Sequence, residues 1–208
     1  MNNPEQLEFI RNWLGSGSIN IFGLPFSGKD SQGKILADLF NGELIGGGQI
    51  LRESVIPDGV RRDLDSGILV PTADFIRIVL PFLSKPELAG KPLILSAVGR
   101  WHGEEDGVVG ALDAANHPTK AVINLSITEE SARRRWLEHE NHKDRGERRD
   151  DSAEILENRF SEFSSKTLPV LEYYRERDLL IEIDGNGPRS DVTNSIISAL
   201  ANRVLASQ

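Results

Sequence analysis

Residues 23–32, which read Gly-Leu-Pro-Phe-Ser-Gly-Lys-Asp-Ser-Gln, have the residue types and spacing to bind phosphate. They follow an apolar run that ends at Phe22 and precede a helical pattern that includes Ile35. Glycines let the backbone bend around an anion, and backbone N–H groups at a helix N-terminus favour negative charge. Lys29 would add a mobile positive charge for the outer phosphates, and the Ser31 hydroxyl is the candidate magnesium ligand. We therefore interpret the stretch as a phosphate-binding loop.

The loop departs from the general pattern G-x-x-x-x-G-K-[ST] at one position, because Asp30 stands where the hydroxyl residue is expected. The alternative interpretation is a glycine-rich turn followed by an ordinary lysine. Gly23, Gly28 and Lys29 all fall in register behind a predicted strand, and this register favours the phosphate loop.

The composition predicts a globular protein whose main partner is not nucleic acid. The chain has 208 residues, 38% of them hydrophobic and 27% charged, and a net charge of −8. This length suits one domain, and the acidic balance argues against nucleic acid as a partner. No apolar run reaches the roughly 20 residues of a membrane span, and the first residues carry no basic segment typical of a secretory signal. Because the chain has no cysteine, disulfides and thiolate metal sites are excluded, and a cytoplasmic location is expected. The protein is also expected to be a monomer.

Alternating strand and helix patterns predict the elements that would position the loop. Continuous apolar runs are typical of strands buried on both faces, and the predicted strands are 19–22, 43–45, 92–98, 121–125 and 179–183. Helices are predicted over 4–14, 29–40, 58–66, 72–80, 152–177 with a break near Pro169, and 190–205. Strands separated by helices predict a three-layer α/β fold of the P-loop class, a parallel five-stranded sheet flanked by helices. Residues 46–48 are predicted as a hinge-like loop, and 139–151, which contain no apolar residue, as a solvated loop.

Four stretches together resemble the adenylate kinases, and more broadly the nucleoside monophosphate kinases. The resemblance covers about residues 18–204. The matching stretches are the loop 23–32, the segment Gly48-Gln-Ile-Leu-Arg52, the segment Gly67-Ile-Leu-Val-Pro71, and the series Arg148-Arg-Asp-Asp151, Arg159, Pro169, Tyr173-Tyr174 and Ile183-Asp-Gly185. The family's loop also carries its hydroxyl two positions after the lysine, as Ser31 does here.

The resemblance implies a single kinase domain that uses ATP with Mg²⁺ and transfers phosphate to a nucleoside monophosphate, most simply AMP. It divides the chain into a core (about 1–42, 86–137 and 151–208), a helical acceptor-binding insert (43–85) and a short lid (138–150). The residues implied to bind the donor nucleotide are Gly23, Pro25, Ser27, Gly28, Lys29, Asp30, Ser31, Gln32, Arg135 and Gly187. Those implied to bind the acceptor are Gly47, Arg52, Ile68, Val70, Arg100 and Glu104. Those implied to act on the transferred phosphoryl group are Lys29, Arg100, Arg135, Arg148 and Arg159.

Arginine suits these roles because its planar guanidinium meets phosphate with two hydrogen bonds. Phosphoryl transfer depends on positioning and charge neutralisation more than on covalent chemistry. The motif register favours a functional role for Arg135, Arg148 and Arg159. Nearby basic residues without that register are interpreted as solvated charges, and they are Arg133, Arg134, Lys143 and Arg145.

Departures from the family pattern leave three interpretations open. Gln49 and Ser96 stand where the family has aspartates that orient magnesium and its waters, and Asp30 is an added carboxylate in the same neighbourhood. Asp30 could replace the lost carboxylates beside the magnesium ligand Ser31, or it could cap its helix. The protein could accordingly be an efficient kinase or a nucleotide-binding protein with little turnover. A kinase of a non-nucleotide molecule is the third interpretation, which the stretch 67–71 disfavours.

The acceptor base is the second open point. Gly47 replaces a threonine of the family, and Glu104 falls where adenylate kinases carry a glutamine that faces adenine. An ionised carboxylate only accepts hydrogen bonds, so Glu104 would suit the donors of guanine and hence GMP. Alternatively, Glu104 points to solvent and the backbone reads the base.

Overall fold

The computed structural model describes residues 4–142 and 152–207, and for 139–142 only the backbone is considered. The strands are β1 (Ser18–Gly23), β2 (Glu43–Gly46), β3 (Leu93–Ser96), β4 (Thr119–Ser126) and β5 (Leu180–Asp184). The α-helices are α1 (Pro4–Leu14), α2 (Lys29–Phe40), α3 (Gly47–Glu53), α4 (Asp58–Asp65), α5 (Thr72–Ile78), α6 (Glu105–Ala114), α7 (Glu129–His142), α8 (Ala153–Glu162), α9 (Leu168–Glu176) and α10 (Arg189–Ala206). Short 3₁₀ helices cover Leu80–Ser84 and Pro86–Leu88, and a π-helical segment covers Phe163–Thr167.

The five strands form one parallel sheet in the order β2-β3-β1-β4-β5. Every residue of β1 and β3 is buried, as their apolar sequences predicted. Helices cover both faces, so the predicted three-layer α/β fold with a five-stranded parallel sheet is confirmed. Because all strands run the same way, their C-terminal ends share one edge, where ligands bind in open α/β sheets.

Helix α1 packs on the protein's own core. Ile10 and Leu14 are fully buried in a cluster with residues of β1, α2 and α10. The Arg11 guanidinium also donates two hydrogen bonds, of 2.8 and 2.6 Å, to the Leu39 carbonyl at the end of α2. The apolar face predicted for residues 4–14 therefore stabilises this chain internally.

Two loop predictions are partly wrong, because a helix of the structure covers part of each predicted loop. Gly47 and Gly48 are the first residues of α3, because burial of Ile50 and Leu51 fixes that helix and glycine is tolerated at its start. The backbone of 139–142 continues α7 into the predicted loop, since a solvated helix end needs no apolar residue.

The predicted break near Pro169 takes the form of a π-helical segment directly before α9. Proline lacks the N–H that would continue the α-helical hydrogen bonds, and one wider turn accommodates it. Leu156, Phe160 and Phe163 lie on one buried stripe across this junction, as predicted.

Candidate active site

Two adjoining cavities open at the C-terminal edge of the sheet. Their volumes are about 500 and 320 Å³, within the range of small-molecule sites. Phe26, Lys29, Asp30 and Ser31 line both cavities. The larger is called the insert cavity because residues of 43–85 form much of its wall, and the smaller is called the loop cavity.

The structure separates the sequence-predicted residues into two groups. Besides the shared ones, the insert cavity is lined by Pro25, Gly47, Arg52, Ile68, Val70, Arg100, Glu104 and Arg159. The loop cavity is lined by Ser27, Gly28, Gln32, Arg135 and Gly187. All residues predicted to bind the acceptor thus lie in the insert cavity, and most of those predicted to bind the donor lie in the loop cavity.

The phosphate-binding loop depends on two glycines with positive φ angles. Gly23 has φ +151°, and a Cβ there would lie 2.5 Å from Ser27 Oγ and 2.8 Å from the Leu125 carbonyl. Gly23 lines neither cavity, so its role is to permit the turn. Gly28 has φ +95° and precedes the first residue of α2, so the N-terminus of that helix faces the loop cavity.

Two residues that line the loop cavity have buried polar side chains. The Ser27 hydroxyl is buried beside Gly23 and has no hydrogen-bond partner among the described residues. Gln32 joins α2 to α10, because its amide donates to the Arg189 carbonyl at 3.0 Å and accepts from the Thr193 hydroxyl at 2.8 Å. Gln32 therefore holds the start of α2 against α10 behind the loop cavity.

Asp30, one of the residues that line both cavities, is hydrogen-bonded to Ser96. The Ser96 hydroxyl, at the C-terminal end of β3, donates a short hydrogen bond to Asp30 Oδ1. Asp30 is the second residue of α2, and the helix cap is Gly28 rather than an aspartate side chain. The carboxylate therefore connects the phosphate loop with the end of the neighbouring strand.

Arg100 and Arg159 place like charges beside the insert cavity. Burial, followed by the positive charge of Arg159, lowers the pKa of Arg100 to about 10, while Glu162, Asp30 and Glu104 act in the opposite direction. An anion between the two guanidinium groups would relieve both desolvation and repulsion. This part of the cavity is thus suited to a phosphate group.

Arg135 bridges the two sides of the loop cavity. Its guanidinium donates to the carbonyls of Phe26 and Ser27 at 3.2 and 3.3 Å, and to that of Gly185 at 2.6 Å. The side chain therefore fixes the phosphate loop against the segment that follows β5.

The Glu104 carboxylate is engaged by its own loop. It is buried, and it accepts a hydrogen bond from the Trp101 N–H at 3.1 Å. Burial raises its pKa, and hydrogen bonds from Trp101, Thr72 and Arg100 oppose that shift. Glu104 thus does not point to solvent, and its geometry fixes the turn that carries Arg100.

Trp101 lines the insert cavity and Glu162 supports its wall through Leu69, and the sequence interpretation missed both residues. Glu162 accepts hydrogen bonds from the Leu69 N–H at 2.9 Å and from Lys166 at 2.7 Å. The Lys166 ammonium lies 3.9 Å from the centre of the Trp101 ring, which lines the insert cavity. Glu162 follows Arg159 by three residues on α8, and this spacing, which puts both on one helix face, was the available signal.

The oxygen ligands at the shared wall fit a magnesium ion carried by a nucleotide. No cluster of three or more His, Cys, Asp or Glu residues in 4–142 and 152–207 could hold a metal by itself. Mg²⁺ commonly takes one or two protein oxygens and completes its shell with phosphates and waters. The Ser31 hydroxyl and the Asp30 carboxylate offer such oxygens beside Lys29. Arg148 and most of the predicted lid lie outside the described residues.

Curated adenylate kinases are similar to this chain over most of its length. That of Cyanothece sp. is 32% identical over 181 residues, which are 85% of this chain and 91% of the relative. That of Nocardioides sp. is 30% identical over 185 residues, 86% and 95% of the two chains. That of Trichodesmium erythraeum is 30% identical over 184 residues, 84% and 92%. No protein-family model matches the chain. Among the described residues, no helix is long and apolar enough to cross a membrane.

Proposed function

Because the chain belongs to the adenylate kinase family, and is thus a nucleoside monophosphate kinase, we propose that it transfers the terminal phosphoryl group of ATP to AMP. The observation that carries this proposal is the wall of Lys29, Asp30 and Ser31 shared by the two cavities. Because the two cavities adjoin at these residues, nucleotides bound in the two cavities would have their phosphates close together. Direct transfer needs this proximity more than it needs a nucleophilic side chain.

The loop cavity would bind the triphosphate. The backbone N–H groups at the start of α2 and the Lys29 ammonium would hold its phosphates, and the segment around Gly187 would lie beside its base. Arg135 would keep that wall closed through its three carbonyl contacts. A water-poor site favours transfer to the acceptor over hydrolysis.

The insert cavity would bind the monophosphate. Arg100 and Arg159 would bind its phosphate between them, with Arg52 on the rim, where the guanidinium lies beside Gly48. An oxygen of that phosphate attacks the terminal phosphorus of ATP as the bond to the bridging oxygen breaks, and two molecules of ADP result. Positive charge from Lys29 and the arginines would stabilise the charge that develops on the transferred group.

Ser31 would hold the Mg²⁺ of the nucleotide, and Asp30 lies next to it in the chain. When bound, the ion neutralises phosphate charge and restricts the phosphates to one geometry. The oxygen chemistry of Ser31 and Asp30 beside Lys29, in the wall shared by the two cavities, supports this assignment.

AMP is proposed over GMP for two reasons. The relatives are named adenylate kinases. The Glu104 carboxylate, which would have read guanine, is engaged by hydrogen bonds from the Trp101 and Arg100 backbone and from Thr72. The division into core, insert 43–85 and lid 138–150, a role for Arg148, a monomeric state and a cytoplasmic location belong to this proposal as predictions of the sequence.

A coupled assay of ADP formation tests the proposal. The protein is incubated with ATP, Mg²⁺ and either AMP, GMP, CMP or UMP, beside the variants Lys29→Ala and Lys91→Ala. We expect turnover with AMP that Lys29→Ala abolishes. Lys91→Ala, which changes a surface lysine paired with Glu43, should leave turnover unchanged. Nucleotide-dependent thermal stabilisation without turnover for any acceptor would contradict the proposal and favour a binding protein.

A further inference from the structure

Asp30 is the carboxylate that lines both cavities, whereas Glu104 lines the insert cavity alone. Its position is electrostatically unusual. A fixed negative charge beside the Lys29 ammonium, at the point where two sets of phosphates meet, repels both substrates. Such a charge is tolerable when a cation lies between it and the phosphates, because each anion then interacts with the cation.

Ser96 holds the Asp30 carboxylate in this position. Ser96 is almost fully buried at the C-terminal end of β3, and it pairs with Ile21 of β1 on one side and Gly46 of β2 on the other. Its hydroxyl donates to Asp30 Oδ1. The bond from Ser96 therefore fixes the orientation of the Asp30 carboxylate relative to the end of β3.

The two side chains meet at one point, Asp30 reaching it from α2 and Ser96 from the end of β3. A carboxylate at either position would therefore place its oxygens near that point. This equivalence predicts that the charge can be moved from residue 30 to residue 96 with its function retained.

We propose that Asp30, positioned by Ser96, is the residue that orients the water shell of the nucleotide-bound Mg²⁺, and that either position can carry this carboxylate. The inference rests on the proposed function, since it assumes that the nucleotide arrives with a divalent ion. Asp30 acts here as a positioning residue, while Ser31 holds the metal.

The test measures metal binding without turnover. Mn²⁺ replaces Mg²⁺, and its affinity for the protein–ATP complex is measured by electron paramagnetic resonance in the absence of acceptor. The variants are Asp30→Asn, Asp30→Gly and the double variant Asp30→Gly/Ser96→Asp. Asp38→Asn, an exposed carboxylate on the same helix, is the matched control. Thermal stabilisation by ATP in EDTA reports nucleotide binding alone.

Loss of a carboxylate that orients metal-bound water costs about 10- to 100-fold in metal affinity. We expect this loss in Asp30→Asn and Asp30→Gly and unchanged Mn²⁺ affinity in Asp38→Asn. In EDTA the Asp30 variants should bind ATP at least as strongly as the wild type, because the repulsion between the carboxylate and the phosphates is removed. The double variant should recover to within about threefold of wild type, because the carboxylate returns to the same point.

Wild-type Mn²⁺ affinity in Asp30→Asn would overturn the proposal, since this variant keeps the shape and removes the charge. A folded double variant that binds Mn²⁺ no better than Asp30→Gly would overturn the equivalence of the two positions. Neither result depends on turnover, so failure of this inference is distinct from failure of the kinase assay.

Discussion

Replacing Arg159 with methionine should stabilise the ligand-free protein and weaken the binding of AMP. Arg159 and Arg100 lie together beside the insert cavity, and the charge of Arg159 contributes to lowering the pKa of Arg100. Methionine keeps the aliphatic length of the side chain and removes its charge. The ligand-free protein then loses a like-charge repulsion, while the monophosphate loses one of its two proposed guanidinium partners.

The size of the stabilisation follows from the pKa of Arg100. Its decrease from 12.5 to about 10 corresponds to roughly 3 kcal/mol against the charged form. Burial is the largest cause and Arg159 the second, so removing Arg159 relieves only part of this cost. The pKa is lower in the folded state, so this cost is present in full below pH 10 and disappears as the pH rises from about 10 toward 12.5. At pH 7.5, removing the Arg159 charge should raise the melting temperature, by ~2–4 °C for each kcal/mol relieved in a protein of this size.

The loss of AMP binding should be larger than the gain in stability. A hydrogen bond between charged groups contributes about 1.5–3 kcal/mol, which corresponds to roughly 10- to 100-fold in affinity. Differential scanning fluorimetry at pH 7.5, with and without AMP, measures both effects. Arg134→Met is the matched control, because Arg134 is exposed and lines neither cavity, and it should change neither quantity. A lower melting temperature for Arg159→Met without ligand, or an AMP-dependent shift equal to that of the wild type, would refute the reasoning.

Three further variants test other parts of the site. Gly23→Ala should remove ATP-dependent thermal stabilisation, because its Cβ would lie 2.5 Å from Ser27 Oγ, and an unchanged shift would show that the loop can relax. Glu104→Gln should leave the preference among AMP, GMP, CMP and UMP unchanged, because hydrogen bonds from the Trp101 and Arg100 backbone and from Thr72 engage the carboxylate, and a switch of preference in the coupled assay would contradict this. Glu162→Gln should raise the KM for AMP more than that for ATP, because Glu162 holds the backbone at residue 69, and equal effects on both substrates would argue for a general structural role.

The central strands of the sheet could be predicted from sequence because they are buried on both faces. The apolar run at 179–183 predicts the same burial, and this is wrong, because β5 is an edge strand and its Glu182 is exposed. Continuous apolar runs over 92–98 and 121–125 are typical of central parallel strands. In the structure the corresponding strands are β3 (93–96) and β4 (119–126). The ends of surface helices carry no comparable signal. Glycines at 46–48 read as a hinge, yet the burial of Ile50 and Leu51, which depends on packing against distant residues, makes most of this stretch helical.

The sequence predicted which residues share a cavity better than it predicted which partner each side chain contacts. Motif register anticipated that Arg52, Arg100 and Glu104 belong to one cavity, and all three line it. Which partner each side chain selects depends on geometry between distant elements. The bond of Ser96 to Asp30 spans 66 positions, and that of Glu162 to the Leu69 N–H spans 93. No local pattern specifies such pairs.

The distribution of charge in this protein favours a small anion over a long one. The whole chain carries −8, which repels an extended polyanion such as nucleic acid from most of the surface. The insert cavity nevertheless brings Arg52, Arg100, Arg159 and Lys29 toward one space of about 500 Å³. A phosphate that fits inside is shielded by the cavity walls and interacts with these cations at low effective dielectric. The same cations repel one another when the cavity holds no anion. Binding of a nucleotide phosphate therefore gains from relieving that repulsion as well as from the new contacts.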